Sequence, residues 1–154
     1  MNAIGLNDQQ SKDLAKKLNT LLANYHLFYI NVRGYHWNIK GEKFFELHVK
    51  FEELYNNVVL KIDEIAERIK TLGETPLHTY TDYLQISAIT ERKNVSSGTE
   101  AVQDILDALK QLLLLQREIL QISSDASDEG TNALMSDYIR EQEKMVWMYN
   151  AYLS

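Results

Sequence analysis

The sequence contains no cysteine, one proline and only six glycines among its 154 residues. Without cysteine, the chain has no disulfide framework, no thiolate metal ligand and no cysteine nucleophile. Because proline and glycine are the strongest helix breakers, their scarcity predicts a few long helices. The longest aliphatic run, residues 112–115, is far shorter than the roughly 20 residues that cross a bilayer. The first residues lack the basic and apolar regions of a signal peptide, so we expect a single soluble, cytoplasmic domain over residues 1–154.

Basic residues are outnumbered by acidic ones. The 16 lysines and arginines face 22 aspartates and glutamates, which gives a formal net charge of −6. No lysine or arginine precedes Lys12, and none lies within residues 150–154. Binding to nucleic acid needs clustered positive charge against the phosphates, so this balance argues against a general nucleic-acid-binding protein.

Apolar side chains recur at steps of three and four residues, as expected for helices with one buried face. This pattern predicts four long helices, over residues 8–34, 43–72, 99–122 and 131–152. We expect Asn7 or Asp8 to cap the first helix, and Thr99 suits the start of the third. Gly73 and Pro76 are placed to end the second helix.

The connections between these helices define the fold class. The turn around Gly41 and the loop at residues 123–130 are short, whereas residues 74–98 form a long connection with a helical turn or two at residues 82–86. Four long helices with one long crossover between the second and the third predict an all-α, ferritin-like four-helix bundle whose crossover carries a short helix.

Side chains that bind metals are concentrated near the first turn and along the second helix: His36, His48, Glu52, Asp63 and Glu67. His48 and Glu52 are four residues apart, as are Asp63 and Glu67, so each pair lies on one helix face. At about 100° per residue, all four fall within an arc of roughly 100°. Imidazole and carboxylate ligands without thiolate suit Fe(II), Mn(II) or Zn(II).

The spacing along the helix limits how these residues can be used. Glu52 and Asp63 are 11 residues apart, or about 16 Å along a helix, whereas a ligand atom lies about 2 Å from its metal. One straight helix therefore cannot bind one ion with both pairs. Either the pairs belong to two unrelated sites, or the helix packs antiparallel against a symmetry-related copy, which would create two equivalent sites. A solvated acidic face with an interfacial histidine is the remaining alternative.

Four sequence segments resemble the Dps family, the DNA-binding proteins from starved cells that are also called mini-ferritins. They are NVRGYHWNIKG at 31–41, FFELHVKFEELY at 44–55, IDEIAERI at 62–69 and LGETP at 72–76. The resemblance extends over nearly the whole chain, in length and in the order of the helices. It is specific, because the metal-binding residues, the turn glycine, the tryptophan and the helix-ending Gly-x-x-Pro all occur in register.

This resemblance implies an iron-storage and detoxification protein that protects the cell and its DNA from oxidative damage. Members of the family form shells of twelve subunits and act as ferroxidases that oxidise Fe(II), preferably with hydrogen peroxide. By resemblance, the iron ligands are His36, His48 and Glu52 of one subunit with Asp63 and Glu67 of its neighbour. Trp37 resembles the family tryptophan that relays electrons or intercepts radicals. Zinc and manganese are the expected competing metals.

The resemblance also implies acidic pores for iron entry at the start of the last long helix. Asp128 is the first candidate for a pore residue and Asp137 the second. The family name implies DNA binding, but the missing basic tails and the negative charge predict that it is weak or absent. The alternative function is a DNA-compacting, nucleoid-associated protein in which metal chemistry is secondary. A third hypothesis is a helical structural or signalling protein whose metal-binding residues coincide by chance.

Overall fold

The computed structural model describes all residues from Met1 to Ser154 and contains helices without any sheet. The helices are α1 (Asp8–Asn38), α2 (Phe44–Thr71), α3 (Tyr80–Ile86), α4 (Gly98–Asp125) and α5 (Glu129–Leu153). Four of them are long, and α3 is the short helix within the crossover, as the sequence predicts. None of the helices combines the length and the apolar character needed to cross a membrane.

Most of the predicted helix ends differ from the structure, by one to four residues. The first helix continues through Gly34 to Asn38, so His36 lies in its last turn rather than in the following loop. A single glycine costs a helix only about 1 kcal/mol, and the burial of Tyr35 and Ile39 on the core side offsets this cost. The helix α4 begins at Gly98 with Ser97 as its cap, not at Thr99, and only residues 126–128 separate α4 from α5.

The end of α2 forms as the sequence predicts. Gly73 adopts a positive φ of 92°, which is a left-handed conformation that glycine accepts without strain. Its amide donates to the carbonyl of Lys70 at 2.9 Å, and the amide of Glu74 donates to the carbonyl of Ile69 at 3.1 Å. These two bonds make a Schellman motif, which satisfies the last carbonyls of the helix and turns the chain into the crossover. At the start of α1, the side chain of Asn7 accepts from the amide of Gln10, so the predicted Asn7 cap is confirmed.

Three asparagines of α1 hold the crossover by hydrogen bonds to its main chain. Asn19 accepts from the amide of Leu77 at 2.8 Å, Asn24 accepts from the amides of Ala88 and Ile89, and Asn31 accepts from the amide of Arg92. The side-chain amides of Asn19 and Asn31 also donate to crossover carbonyls. The long connection therefore runs along α1, and its buried main-chain groups are paired without a sheet.

The core lies between the four long helices and is almost entirely aliphatic and aromatic. Its fully buried large side chains include Leu14, Leu18, Phe28, Phe51, Ile65, Ile105 and Leu109. The helices α1 and α2 pack as one hairpin and α4 and α5 as another, and α1 also contacts α4. This arrangement leaves the outer face of the α1–α2 hairpin, with the predicted metal-binding residues, on the surface of the subunit.

Candidate metal centre

The two histidines of the predicted site meet where α1 ends and α2 begins. The rings of His36 and His48 stack with their centroids 3.8 Å apart and an angle of 9° between their planes. Phe44 stacks on the other side of His48, at 4.9 Å. His36 is only 7% exposed, so this part of the site is already built within one subunit.

Each histidine is oriented by the main chain of the other. The Nδ1 atom of His36 lies 2.6 Å from the carbonyl oxygen of His48, and the Nδ1 atom of His48 lies 2.8 Å from that of His36. A carbonyl oxygen only accepts hydrogen bonds, so both Nδ1 atoms must carry the proton. In the neutral form of each imidazole, Nε2 is then the free lone pair, which is the tautomer that metal binding through this atom requires.

Glu52 lies one turn beyond His48 on the same face of α2. Its carboxylate is exposed, and its contact within the subunit is with the hydroxyl of Tyr55, which donates to Oε1 at the long distance of 3.5 Å. The Tyr55 ring stands edge-on to His36, with centroids 5.3 Å apart. The structure therefore places His36, His48 and Glu52 at one end of the α2 face, as the sequence predicts, with the carboxylate free to move towards a metal.

Asp63 and Glu67 lie towards the other end of α2. Both side chains are exposed, and neither makes a hydrogen bond or ion pair of its side chain within the subunit. No three metal-binding side chains come together anywhere in the single chain. One subunit thus presents two histidines and a carboxylate at one end of the face and two unpaired carboxylates at the other.

A cluster of aromatic rings around Arg33 borders the histidine end of the site. The guanidinium carbon of Arg33 lies 4.9 Å from the ring of Trp37 and 4.8 Å from that of Tyr55, and Nη1 donates to the hydroxyl of Tyr29 at 2.7 Å. Trp37 is 56% exposed. Sequence reasoning identified Trp37 but missed Arg33, Tyr29 and Tyr55. The spacing of Tyr29, Arg33 and Trp37, four residues from one to the next, is the signal that could have found the cluster on α1.

The structure corrects the prediction for Asp128. This side chain is only 2% exposed, and it caps α5 by accepting from the amide of Thr131 at 3.0 Å. It also pairs with Nη2 of Arg68 at 2.6 Å. Because its carboxylate is buried inside its own subunit, Asp128 does not offer a surface for a pore between subunits. Asp137 is exposed and pairs with Arg140 at 3.0 Å, so it remains the predicted pore residue.

His26, which the sequence places on α1 among apolar residues, packs against the crossover. Its ring stacks on Tyr83 with centroids 4.0 Å apart, and burial lowers the pKa of its imidazole. It lies in a cavity with Ile30, Val59 and Leu84, away from the other histidines. His26 is therefore a packing residue within the subunit and not part of the candidate centre.

Comparison with known proteins places this geometry in a family. The family model for the ferritin-like domain matches residues 15–154. The chain is 37% identical over 152 residues to the DNA protection during starvation protein of Porphyromonas gingivalis, covering 99% of this chain and 96% of that protein. It is 58% identical over 149 residues to an uncharacterized protein of Haemophilus influenzae, covering 97% and 93%.

Solved structures agree with this placement. The crystal structure of the Dps protein of Vibrio cholerae O1, described as a member of a broad superfamily of ferritin-like diiron-carboxylate proteins, is 55% identical with a TM-score of 0.99. The similarity covers 100% of this chain and 97% of that chain. The Dps of Staphylococcus aureus is 33% identical with a TM-score of 0.90, covering 93% and 96%.

The bundle, its crossover and the match to the ferritin-like domain over residues 15–154 therefore define a ferritin-like protein. Within that class, the chain belongs to the Dps family, as the sequence segments around the histidines predict. Membership in this family supports iron storage and protection against oxidative stress as its function.

Proposed function

We propose that the chain is a ferroxidase that oxidises Fe(II), preferably with hydrogen peroxide, at sites shared between two subunits, and stores the ferric product in a dodecameric shell. The observation that carries this proposal is the division of the candidate ligands between the two ends of the outer face of the α1–α2 hairpin. The free Nε2 atoms of His36 and His48 lie at one end, and the unpaired carboxylates of Asp63 and Glu67 lie at the other. Neither half is a complete site, but each supplies what the other lacks.

An antiparallel pairing of α2 with its copy would bring the two halves together. The midpoint between Glu52 and Asp63 and the midpoint between His48 and Glu67 fall at the same place, between Asn57 and Val58. A two-fold axis at that point would superimpose the histidine end of one subunit on the carboxylate end of the other.

The exposed apolar side chains support such a pairing. The outer face of the α1–α2 hairpin and the neighbouring α3 carry an unusual number of them: Ile30, Trp37, Phe45, Val49, Val59, Leu60, Tyr80 and Leu84, all at least 41% exposed in the single subunit. Large apolar patches on a subunit surface mark interfaces. The patch surrounds both halves of the site, so burying it against a copy would also exclude water from the metal.

The reaction is a two-electron reduction of peroxide by two ferrous ions. Two Fe(II), one H₂O₂ and two protons give two Fe(III) and two H₂O, so no hydroxyl radical is released when both electrons leave together. His36 and His48 hold Fe(II) through neutral nitrogen, and the carboxylates of Glu52, Asp63 and Glu67 balance the growing positive charge. Zinc and manganese, which accept the same ligand types, are expected to compete. Exposed acids such as Asp137 would draw the cation towards the shell.

Mixing two inactive variants tests whether the sites are shared. His48→Ala and Asp63→Asn are each expected to lose most Fe(II) oxidation by peroxide, measured by the absorbance of the ferric product. When the two are unfolded, mixed in equal amounts and refolded, half of the dimers contain one chain of each kind. One of the two sites in such a dimer is intact, so roughly a quarter of wild-type activity should return.

Asp13→Asn, an equivalent change at an exposed position of α1, is the control and should keep full activity. Sites contained within one subunit would leave the mixture as inactive as its components, and this result would contradict the proposal.

DNA compaction is the second candidate, suggested by the name of the Porphyromonas gingivalis relative. The charge opposes it, since twelve copies at −6 each carry about −72 before iron is bound. Residues 1–7 are also held against the bundle: the Met1 ammonium pairs with Asp8 at 3.1 Å, and Asn2 donates to Ser11. We therefore propose that DNA binding is weak or absent, and tight retention of plasmid in a low-salt gel shift would contradict this.

A further inference from the structure

A layer of buried polar side chains crosses the middle of the bundle, inside the subunit. Each long helix contributes one member: Tyr25 from α1, Lys61 from α2, Gln116 from α4 and Gln142 from α5. All four are no more than 3% exposed. Their presence in an otherwise apolar core calls for a physical reason, because burying polar groups costs free energy unless they are paired.

Three members of the layer form a closed ring of hydrogen bonds. Tyr25 donates its hydroxyl proton to Oε1 of Gln116, whose Nε2 donates to Oε1 of Gln142 at 2.8 Å. Nε2 of Gln142 donates back to the Tyr25 hydroxyl at 2.6 Å. These contacts fix the heights of α1, α4 and α5 relative to one another. Burial raises the pKa of Tyr25 far above its ordinary value, so its hydroxyl stays protonated as the donor.

The fourth member, Lys61, supplies a positive charge. Its Nζ donates to Oε2 of Glu141 at 2.9 Å and to Oδ1 of Asn57 at 2.8 Å, and it lies 5.0 Å from the centroid of the Tyr138 ring. Nδ2 of Asn57 donates to the other oxygen of Glu141 at 2.6 Å. A lysine that is almost fully buried is rare in proteins unless it is paired in this way.

The residues of this layer and their neighbours can be compared with a ferritin-like di-iron centre. Such centres take one glutamate from each of two helices and a Glu-x-x-His pair from each of the other two. At this level of the bundle, α1 has Tyr25 and α4 has Gln116, where a centre of that kind needs carboxylates. The side chains three residues apart are Lys61 with Glu64 on α2 and Tyr138 with Glu141 on α5, and neither pair is Glu-x-x-His.

The residues present do not fit two metal ions. Only Glu64 and Glu141 among the six keep a carboxylate, and Lys61 already binds Glu141. A fixed ammonium among these groups repels a cation, and no histidine is present to replace it. The hydroxyl of Tyr138 is buried without a partner at normal hydrogen-bond distance, and its burial together with the nearby charge of Glu64 raises the pKa of Tyr138.

We propose that Lys61 determines where this chain binds metal: its ammonium takes the place of a cation in the bundle, closes the interior to metals and leaves the subunit interface as the metal site. The assignment of the metal site to the subunit interface rests on the proposed function, whereas the closed interior does not. Removing the ammonium and supplying a neutral ligand should therefore open a site at the edge of the bundle, formed with the buried Tyr138, the half-exposed Glu141 and the exposed Glu64.

The test uses a background with a disrupted interface site, His48→Ala with Asp63→Asn, and the background alone measures any metal that the interface still binds. Lys61→His adds an imidazole without negative charge, and Lys61→Met is the matched control of similar length, whose soft thioether is a poor ligand for Co(II). Binding of Co(II) is measured by titration calorimetry and by its visible absorption spectrum. We expect one Co(II) per chain for Lys61→His, with a raised Tm, and none for Lys61→Met or for the background.

If the buried substitutions unfold the chain, helicity is measured while each variant refolds with and without Co(II). Recovery of Lys61→His by Co(II), but not of Lys61→Met, supports the proposal. A folded Lys61→His variant that binds no Co(II), equal binding by Lys61→Met, or refolding that Co(II) does not affect would overturn it. These outcomes are independent of the mixing experiment, because every arm carries the same disrupted interface site.

Discussion

At the scale of single residues, the metal-binding chemistry depends on which nitrogen of each imidazole carries the proton. The carbonyl oxygens of His36 and His48 decide this for one another, so both rings donate from Nδ1 and leave Nε2 as the atom that can face a metal. The carboxylates, by contrast, are unpaired and exposed. In the proposed centre, the nitrogen ligands are therefore held by main-chain hydrogen bonds, whereas the oxygen ligands lie exposed on the subunit surface.

Oxidative damage at the two tryptophans gives a residue-scale prediction. Trp37 stacks on Arg33 beside the histidines, whereas Trp147 lies on α5 and is more exposed, 67% against 56%. If Trp37 relays electrons from the iron site, turnover with Fe(II) and peroxide should add oxygen to Trp37 several times more often than to Trp147, as measured by peptide mass spectrometry. Exposure alone would give the opposite order, and that result would remove the relay role.

The spacing of the candidate site residues along the helices was predictable from the sequence, whereas their binding of metal stays a prediction. His48 and Glu52 are four residues apart, as are Asp63 and Glu67. The rise per residue of a helix then shows that one helix cannot bring both pairs to the same ion. The orientation of the histidines was not predictable, because it depends on main-chain oxygens that every residue carries. The layer around Lys61 was also missed, since a lysine in a helix is normally a surface residue.

At the scale of helices, the start of α5 depends on one buried carboxylate. Asp128 accepts from the amide and the hydroxyl of Thr131 and pairs with Arg68, whose side chain is only 19% exposed. The pair also joins α2 to α5, which share few other polar contacts beyond Lys61 with Glu141. Gly130 is part of this junction, because a Cβ at that position would lie 2.7 Å from Nη1 of Arg68.

Removing the Asp128 carboxylate should therefore destabilise the subunit. We expect Asp128→Ala to lower the free energy of unfolding by about 2–4 kcal/mol, since it removes a helix cap and leaves a partly buried arginine without its partner. Urea denaturation followed by circular dichroism measures the change. Asp128→Asn, which keeps an acceptor for the cap, should lose less.

The control for this substitution is Asp125→Ala, at an exposed acid in the last turn of α4. Its effect should stay within about 0.5 kcal/mol. If both substitutions cost the same, Asp128 would have no special role in joining the helices.

The ends of the helices could be predicted only in part from the sequence. Apolar spacing predicted the number and order of the long helices. Gly73 predicted the end of α2, because glycine is the residue that most often adopts the left-handed conformation just after a helix. Gly34 misled the prediction for α1, since the same residue type is tolerated inside a helix whose flanking residues are buried. The hydrogen bonds from Asn19, Asn24 and Asn31 to the crossover could not be predicted from the sequence, because an asparagine on a helix does not indicate which segment packs beside it.

At the scale of the whole molecule, the metal-binding face is also the face that an assembly would bury. The apolar side chains around it would be a liability on a free subunit. Val59, which is 41% exposed, lies within the same arc of α2 as the metal-binding residues and close to the proposed two-fold axis. A residue so close to a two-fold axis lies near the same residue of the partner subunit, so one substitution changes two adjacent positions of the interface.

Val59→Glu should therefore dissociate the assembly, since two like charges would be buried close together. We expect elution near the subunit mass of 17.9 kDa in size exclusion with light scattering, with unchanged helicity and loss of Fe(II) oxidation. Val59→Ala, which removes contact area without adding charge, should keep the assembly and the activity. A dissociated variant that still oxidises iron at the wild-type rate would show that the site needs no partner.

The reciprocal bonds between the histidines bear on how the centre can change over generations. The groups behind the two imidazoles are peptide oxygens, which are identical for all twenty amino acids. A substitution elsewhere in the chain cannot delete these acceptors, and comparison of relatives would show no covarying position for them. Substitutions, in evolution or in a mutagenesis library, can therefore change the oxygen ligands and the bordering residues Arg33 and Tyr55. These are the positions at which we expect the reactivity of the proposed iron site to be tuned.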